Sequence, residues 1–176
     1  RYCYQLVQAQ IPRRVTMSGN IRTLRGPAIL LETVATLESL TYPASSNSGL
    51  AATVYFMDDD DNKRAERIEV VGQLADAVVD WNATGGIQQE EFQIKIEIYA
   101  GEAGQTGAQA VARAVALSEI VQAGFRDAVT GQPTGLVTAG TVKNYRIVGY
   151  DFTAFPVVNE GWGVLYSLML RVAARL

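Results

Sequence analysis

The chain contains no histidine and a single cysteine, Cys3. Without imidazole it lacks the side chain that titrates near neutral pH and the commonest metal ligand. Ser-His-Asp and Cys-His nucleophile systems are therefore excluded. A zinc site would have to be built from carboxylates and Cys3 alone, so neither a metal nor a cofactor is expected. A lone cysteine cannot close an internal disulfide, and a reducing cytoplasm is the expected site of folding.

Long apolar runs are missing too. Tyr2 to Gln10 is interrupted by Gln5, Gln8 and Gln10, so no secretory signal is expected there. No stretch approaches the roughly 20 apolar residues needed to span a bilayer. Nor is there a basic surplus: 18 acidic against 15 basic residues give a net charge of −3. That argues against sequence-independent wrapping of duplex DNA, which needs clustered Lys and Arg, but permits a surface that DNA slides past.

What is present is an ordinary globular composition, 48% hydrophobic over 176 residues. A chain of this length fits one domain and buries roughly 70% of its unfolded surface. Met17 opens a run that reads as a natural start. Residues 1–16 are expected to be an appended arm, either a disordered terminus or a segment that docks on a neighbouring subunit. Residues 17–176 are expected to form one α+β domain.

Helical spacing of Ile29, Leu30, Val34, Leu37 and Leu40 predicts a first helix over Pro27–Leu40. Pro27 suits its first turn and Pro43 stops it. Strands are expected at Thr53–Met57 and Arg67–Gly72, with a third, short one at Val78–Trp81 closed by Gly85–Gly86. Glu90–Tyr99 alternates Phe92, Ile94, Ile96 and Ile98 with polar residues, which predicts a strand buried on one face and wet on the other. A second helix is expected over Thr106–Ala128, its stripe running through Val111, Val115, Ser118, Val121 and Phe125, with small alanines that let it approach a sheet.

Two long strands complete the chain. Lys143–Phe152 alternates through Tyr145 and Ile147 or through Val148, Tyr150 and Phe152. Trp162–Ala174 places Trp162, Val164, Tyr166, Leu168, Leu170, Val172 and Ala174 on one face. Its length, roughly 43 Å at 3.3 Å per residue, predicts a strand bent, bulged or extended past its own sheet toward a partner. Short connections favour antiparallel pairing. The fold class expected is α+β: an antiparallel or mixed sheet with two main helices on one face and a long C-terminal strand.

Three stretches carry residues with possible chemistry. Asp58, Asp60, Asn62 and Glu69 mimic the spacing of a calcium loop, but Lys63 stands where the sharp turn needs Gly. Asp58–Asp61 therefore reads as a solvated acidic hairpin tip, or as a charged rim that meets a basic partner or repels DNA phosphates. The Gly101–Gly107 stretch lacks the Gly-Lys-Ser/Thr ending of a phosphate-binding loop and reads as a β-to-α connection. Glu90, Glu91 and Glu97 offer paired carboxylates, but Glu91 and Glu97 fall on the wet face of their strand. The residues taken as candidates for partner contact are Asp58, Asp59, Asp60, Asp61, Glu91, Lys95 and Arg171. The tryptophans and tyrosines read mainly as core, with a subset available as interface anchors.

From Met17 to Leu176 the order of elements resembles the tail terminator proteins of long, non-contractile-tailed bacteriophages. The resemblance is carried by the opening helix to Leu40, Thr53–Met57, Arg67–Gly72, Glu90–Tyr99, the Gly104–Val121 helix and the closing Gly161–Arg175 segment. It implies a hexameric ring on the head-proximal end of the tail tube, within the virion, made in the cytoplasm of a bacterial host. Its implied partners are copies of itself, the major tail tube protein and the head connector, with DNA passing through the lumen. It implies no enzymatic activity, no membrane and no residue-level active site. The alternatives are a tail-tube or head-closure subunit, or, in another class, a small-molecule-binding domain or histidine-free hydrolase.

Overall fold

The structure, a computed structural model, describes residues 25–46, 48–56, 66–82, 87–126, 142–157 and 161–175. Its elements run α1 (Gly26–Ser39), β1 (Thr53–Phe56), β2 (Arg67–Asn82), β3 (Ile87–Glu102), α2 (Gly107–Gly124), β4 (Val142–Val157) and β5 (Gly161–Arg175). The strands form one mixed sheet in the order β1-β2-β3-β5-β4, and both helices lie on one face. This is the expected α+β class.

Alternation along β3 and β5 builds the core. Phe92, Ile94, Ile96 and Ile98 are buried against Val172, Leu170, Leu168 and Tyr166, which pair with them in register. Each fully buried side chain of this size stabilises the fold by roughly 1.5–3 kcal/mol. The residues between them, Glu91 to Tyr99 and Leu165 to Arg171, face away from the helices.

Several expected features are corrected. Arg67–Gly72 and Val78–Trp81 are not two strands. They belong to a single β2 that continues antiparallel to β3, with register shifts at Val70/Leu74 and Ala75/Val78. The shifts break the simple alternation by which strands are recognised. β1 pairs parallel to β2, so these two strands are not the arms of a hairpin, which would pair antiparallel. Asp58–Asp61 itself lies outside the described residues, as do residues 1–16 and Gly85–Gly86.

The long β5 does not outrun its sheet. It pairs with β3 from Gln89↔Arg175 to Glu102↔Trp162 without a shift, and with β4 over the same span. Its neighbours are simply as long as it is.

In β4 both alternations are partly right. Ile147 pairs with Leu170 and Tyr150 with Leu168, with a shift at Ile147/Gly149. The extra residue switches the parity, so Ile147, Tyr150 and Phe152 all point to the helix side.

On α2 the buried seam is Ala110, Ala114, Leu117, Ser118 and Val121; Ser118, Val121 and the following Phe125 lie in the core as expected, whereas in the first half of the helix Ala110 and Ala114 take the place of Val111 and Val115. Val115 is exposed. Alanines face the sheet because they let the helix axis come close. The helix begins at a reciprocal capping box: Thr106 Oγ1 accepts from Gln109 N at 3.3 Å, and Gln109 Oε1 accepts from Thr106 N at 2.9 Å.

Candidate interaction surface

Among the described residues the helix layer is narrower than the sheet. α2 packs on β3 and β5, and α1 on β1, β2 and β3. Beyond α2, the helix-side face of β4 is bare among the described residues. The local sequence puts aromatic groups there. Tyr150 and Phe152 are exposed at 71% and 40%, and Trp162 of the adjoining β5 at 45%. Tyr150 stacks on Tyr166 with ring centroids 5.7 Å apart and planes 2° from parallel. Trp162 stands at the mouth of α2, where a Cβ on Gly107 would lie 3.6 Å from its ring. Phe155 is exposed as well, but pairs with Gly163 on the opposite face of the sheet.

β4 is also an edge. Among the described residues it hydrogen-bonds only to β5, which leaves one side of a 16-residue strand without a partner strand. Such an edge is a template for another chain, and a contiguous exposed apolar patch marks an interaction site.

The opposite face is polar and charged. Lys95 pairs with Glu97, whose other oxygen accepts from Tyr99 Oη at 2.8 Å. The guanidinium of Arg67 sits 3.6 Å above the Tyr99 ring and also reaches Glu69. Glu91 accepts from Arg171 Nη2 at 2.6 Å and from Gln89 Nε2 at 2.7 Å. The Arg171 hydrogen bond holds the Glu91 carboxyl below the usual carboxylate range, against a smaller opposing effect of burial.

Of the expected partner-contact residues, Glu91 and Arg171 are therefore brought together as an ion pair. Lys95 lies on the same face with a different partner. Glu90 and Glu91 do not form a carboxylate pair, since they point to opposite faces. Glu90 is buried on the helix side, where its Oε2 accepts from Arg25 N at 2.7 Å and Gly26 N at 3.2 Å. It caps a helix whose own N-cap residue supplies no side-chain hydrogen bond.

The bare aromatic margin of β4 was not among the expected contact residues. The available signal was the period-two placement of Tyr150 and Phe152, which reads equally as core until the helix layer is known to stop short of it. Among the described residues no three Cys, Asp or Glu side chains are grouped to hold a metal ion, and no helix is long and apolar enough to cross a membrane. The chain matches no protein-family model and no curated protein.

Proposed function

We propose that this protein is a structural subunit of a bacteriophage tail, which joins copies of itself into a ring at the head-proximal end of the tail tube. In this reading the ring ends tube growth and offers its outer surface to the head connector, and DNA passes through the lumen. Six copies are expected from the resemblance in element order.

The observation that carries the reading is the β4 margin, a strand edge without a partner strand among the described residues and flanked by exposed Tyr150, Phe152 and Trp162. A monomer gains nothing from leaving these rings in water, whereas an assembly buries them. A cyclic ring requires a heterologous contact between two different patches of each subunit. One such patch is β4, and a neighbour's surface would cover it. The mixed, slightly acidic charge of the chain suits a lumen that does not grip DNA.

Native mass spectrometry and cryo-EM of the full chain test this. Closed rings are expected alone, or at one end of purified tail tubes. A protein that stays monomeric at all concentrations and leaves tube ends bare would overturn the proposal. Growth into long tubes without added tube protein would instead make it a tube subunit. Tyr150→Lys combined with Phe152→Glu should abolish rings while leaving the monomer folded, because both side chains are exposed.

A further inference from the structure

We propose that the charged face of the sheet carries a phosphate-binding site, formed by Arg146 of β4 and Arg171 of β5 above the methyl group of Ala173. The site lies on the face away from the helices and stands whether or not the ring is formed.

Strand register creates it. Gln93, Arg171 and Arg146 form one row across β3, β5 and β4. The two arginines are thus direct cross-strand neighbours on the same face, an arrangement that repels. Among the described residues only one of them is compensated. Glu91, in the next row, bonds Arg171. Arg146 makes no hydrogen bond or ion pair among the described residues, and its charge reaches Glu91 only at longer range.

Glu91 pairs across the strands with Ala173, and so small a side chain leaves a hollow between the strands. That hollow is a groove of about 210 Å³ lined by Glu91, Arg146, Arg171 and Ala173. Two guanidinium groups and one carboxylate leave a net positive charge facing it.

The geometry selects the ligand class. Glu91 already occupies one edge of Arg171. Neighbouring strands are about 4.8 Å apart, so guanidinium groups on the two strands can each donate to a different oxygen of one tetrahedral group. A carboxylate can also meet two guanidinium groups, but it brings only two oxygens and one negative charge. A phosphate has oxygens for both arginines. The groove is open, and Arg171 is 46% exposed, so the phosphate can belong to a small molecule or to a polynucleotide backbone.

The test uses the full chain at fixed ionic strength and neutral pH, titrated with inorganic phosphate while the thermal midpoint is followed. Phosphate stabilises proteins in general by exclusion from their surface, so the informative quantity is the difference from two variants. Arg146→Gln removes one donor. Ala173→Leu fills the hollow but keeps both arginines. Beyond the rise common to all three proteins, the wild-type chain should show a rise in midpoint that grows with the logarithm of phosphate concentration, which Ala173→Leu lacks and which Arg146→Gln shows only at about tenfold or more higher phosphate.

Without phosphate, Arg146→Gln should be as stable as the wild type or more so, since a like-charge neighbour is gone. An equal rise in all three proteins overturns the proposal. So does a phosphate-free loss of stability in Arg146→Gln, which would make Arg146 a structural residue.

A second titration with a labelled single-stranded oligonucleotide identifies the source of the phosphate. Binding that Arg146→Gln weakens, with the salt slope reduced by about one, assigns it to a polynucleotide. A retained response to inorganic phosphate with no oligonucleotide binding assigns it to a small molecule. Either result upholds the site.

Discussion

The carboxylate of Glu66 accepts from Arg113 on both oxygens, Oε2 from Nη2 at 2.8 Å and from Nε at 3.1 Å, and Oε1 from Nε at 3.2 Å, although 47 residues separate the pair in the chain. Arg113 Nη2 also donates to Pro43 O at 2.7 Å. This one side chain therefore joins the start of β2, the helix α2 and the segment that follows α1. Both partners are largely buried, at 3% and 14% exposure for Glu66 and Arg113.

Removing one partner leaves a buried charge alone. Glu66→Leu should cost about 3 kcal/mol or more of folding stability. The double variant Glu66→Leu, Arg113→Met should recover most of it, since apolar replacement of a whole buried pair is often neutral. Urea denaturation of the three proteins checks this, and an additive double variant would count against it.

Glu90 provides the cap that the sequence before α1 does not. Glu90→Ala should cost about 1–2 kcal/mol, because two backbone N–H groups lose their acceptor. Glu90→Gln keeps an acceptor oxygen but loses the attraction between a carboxylate and the helix N-terminus, and should cost about 0.5–1 kcal/mol. The ranking wild type, Gln, Ala in urea midpoints is the expected result.

Gly101 and Gly163 face one another in register. Gly101 has φ +145°, and a Cβ there would stand 2.5 Å from Gly163 Cα and 2.6 Å from Trp162 O. Both neighbours are backbone, so they yield only by prying β3 from β5. Gly101→Ala should cost about 3 kcal/mol. Gly104 also has a positive φ, +81°, but open space around it. Gly104→Ala carries only the backbone penalty, about 1 kcal/mol, and thermal unfolding should separate the two clearly.

Tyr99 sets an alkaline limit. Burial, and then the hydrogen bond to Glu97, push its phenol up to about 12. A group whose folded pKa lies above its unfolded value of about 10 favours the folded state below that value. This contribution is lost as pH rises through about 12. Glu97→Gln removes the nearby negative charge and should bring the Tyr99 titration down, but not fully to the ordinary value, because burial remains. Tyrosinate absorbance, compared with that of a Tyr99→Phe variant, checks the assignment.

Legibility in the sequence followed the range of the determining interaction. β3 was readable residue by residue, because Phe92, Ile94, Ile96 and Ile98 all answer to one local period. The cap of α2 was also written locally, in Thr106 and Gln109. β2 was read as two strands, since its register shifts break the alternation. The α2 stripe holds at Ser118, Val121 and Phe125 and is one step off at Val111 and Val115, because the valines outweigh Ala110 and Ala114 in hydrophobicity while the fit to the sheet favours the smaller side chains. Glu90 looked like half of a carboxylate pair with Glu91, yet neighbours on a strand face opposite ways.

The sequence by itself determined which side of β3 and β5 faces the core, and it ruled out histidine-dependent chemistry. Both follow from composition and local geometry. Tertiary structure decided which strand stands at the edge, which residues meet across it, and where the helix layer ends. Those outcomes rest on pairings between distant segments, such as β5 lying between β3 and β4. Their energy is spread over whole strands and leaves no short-range mark at Tyr150, Arg146 or Arg171.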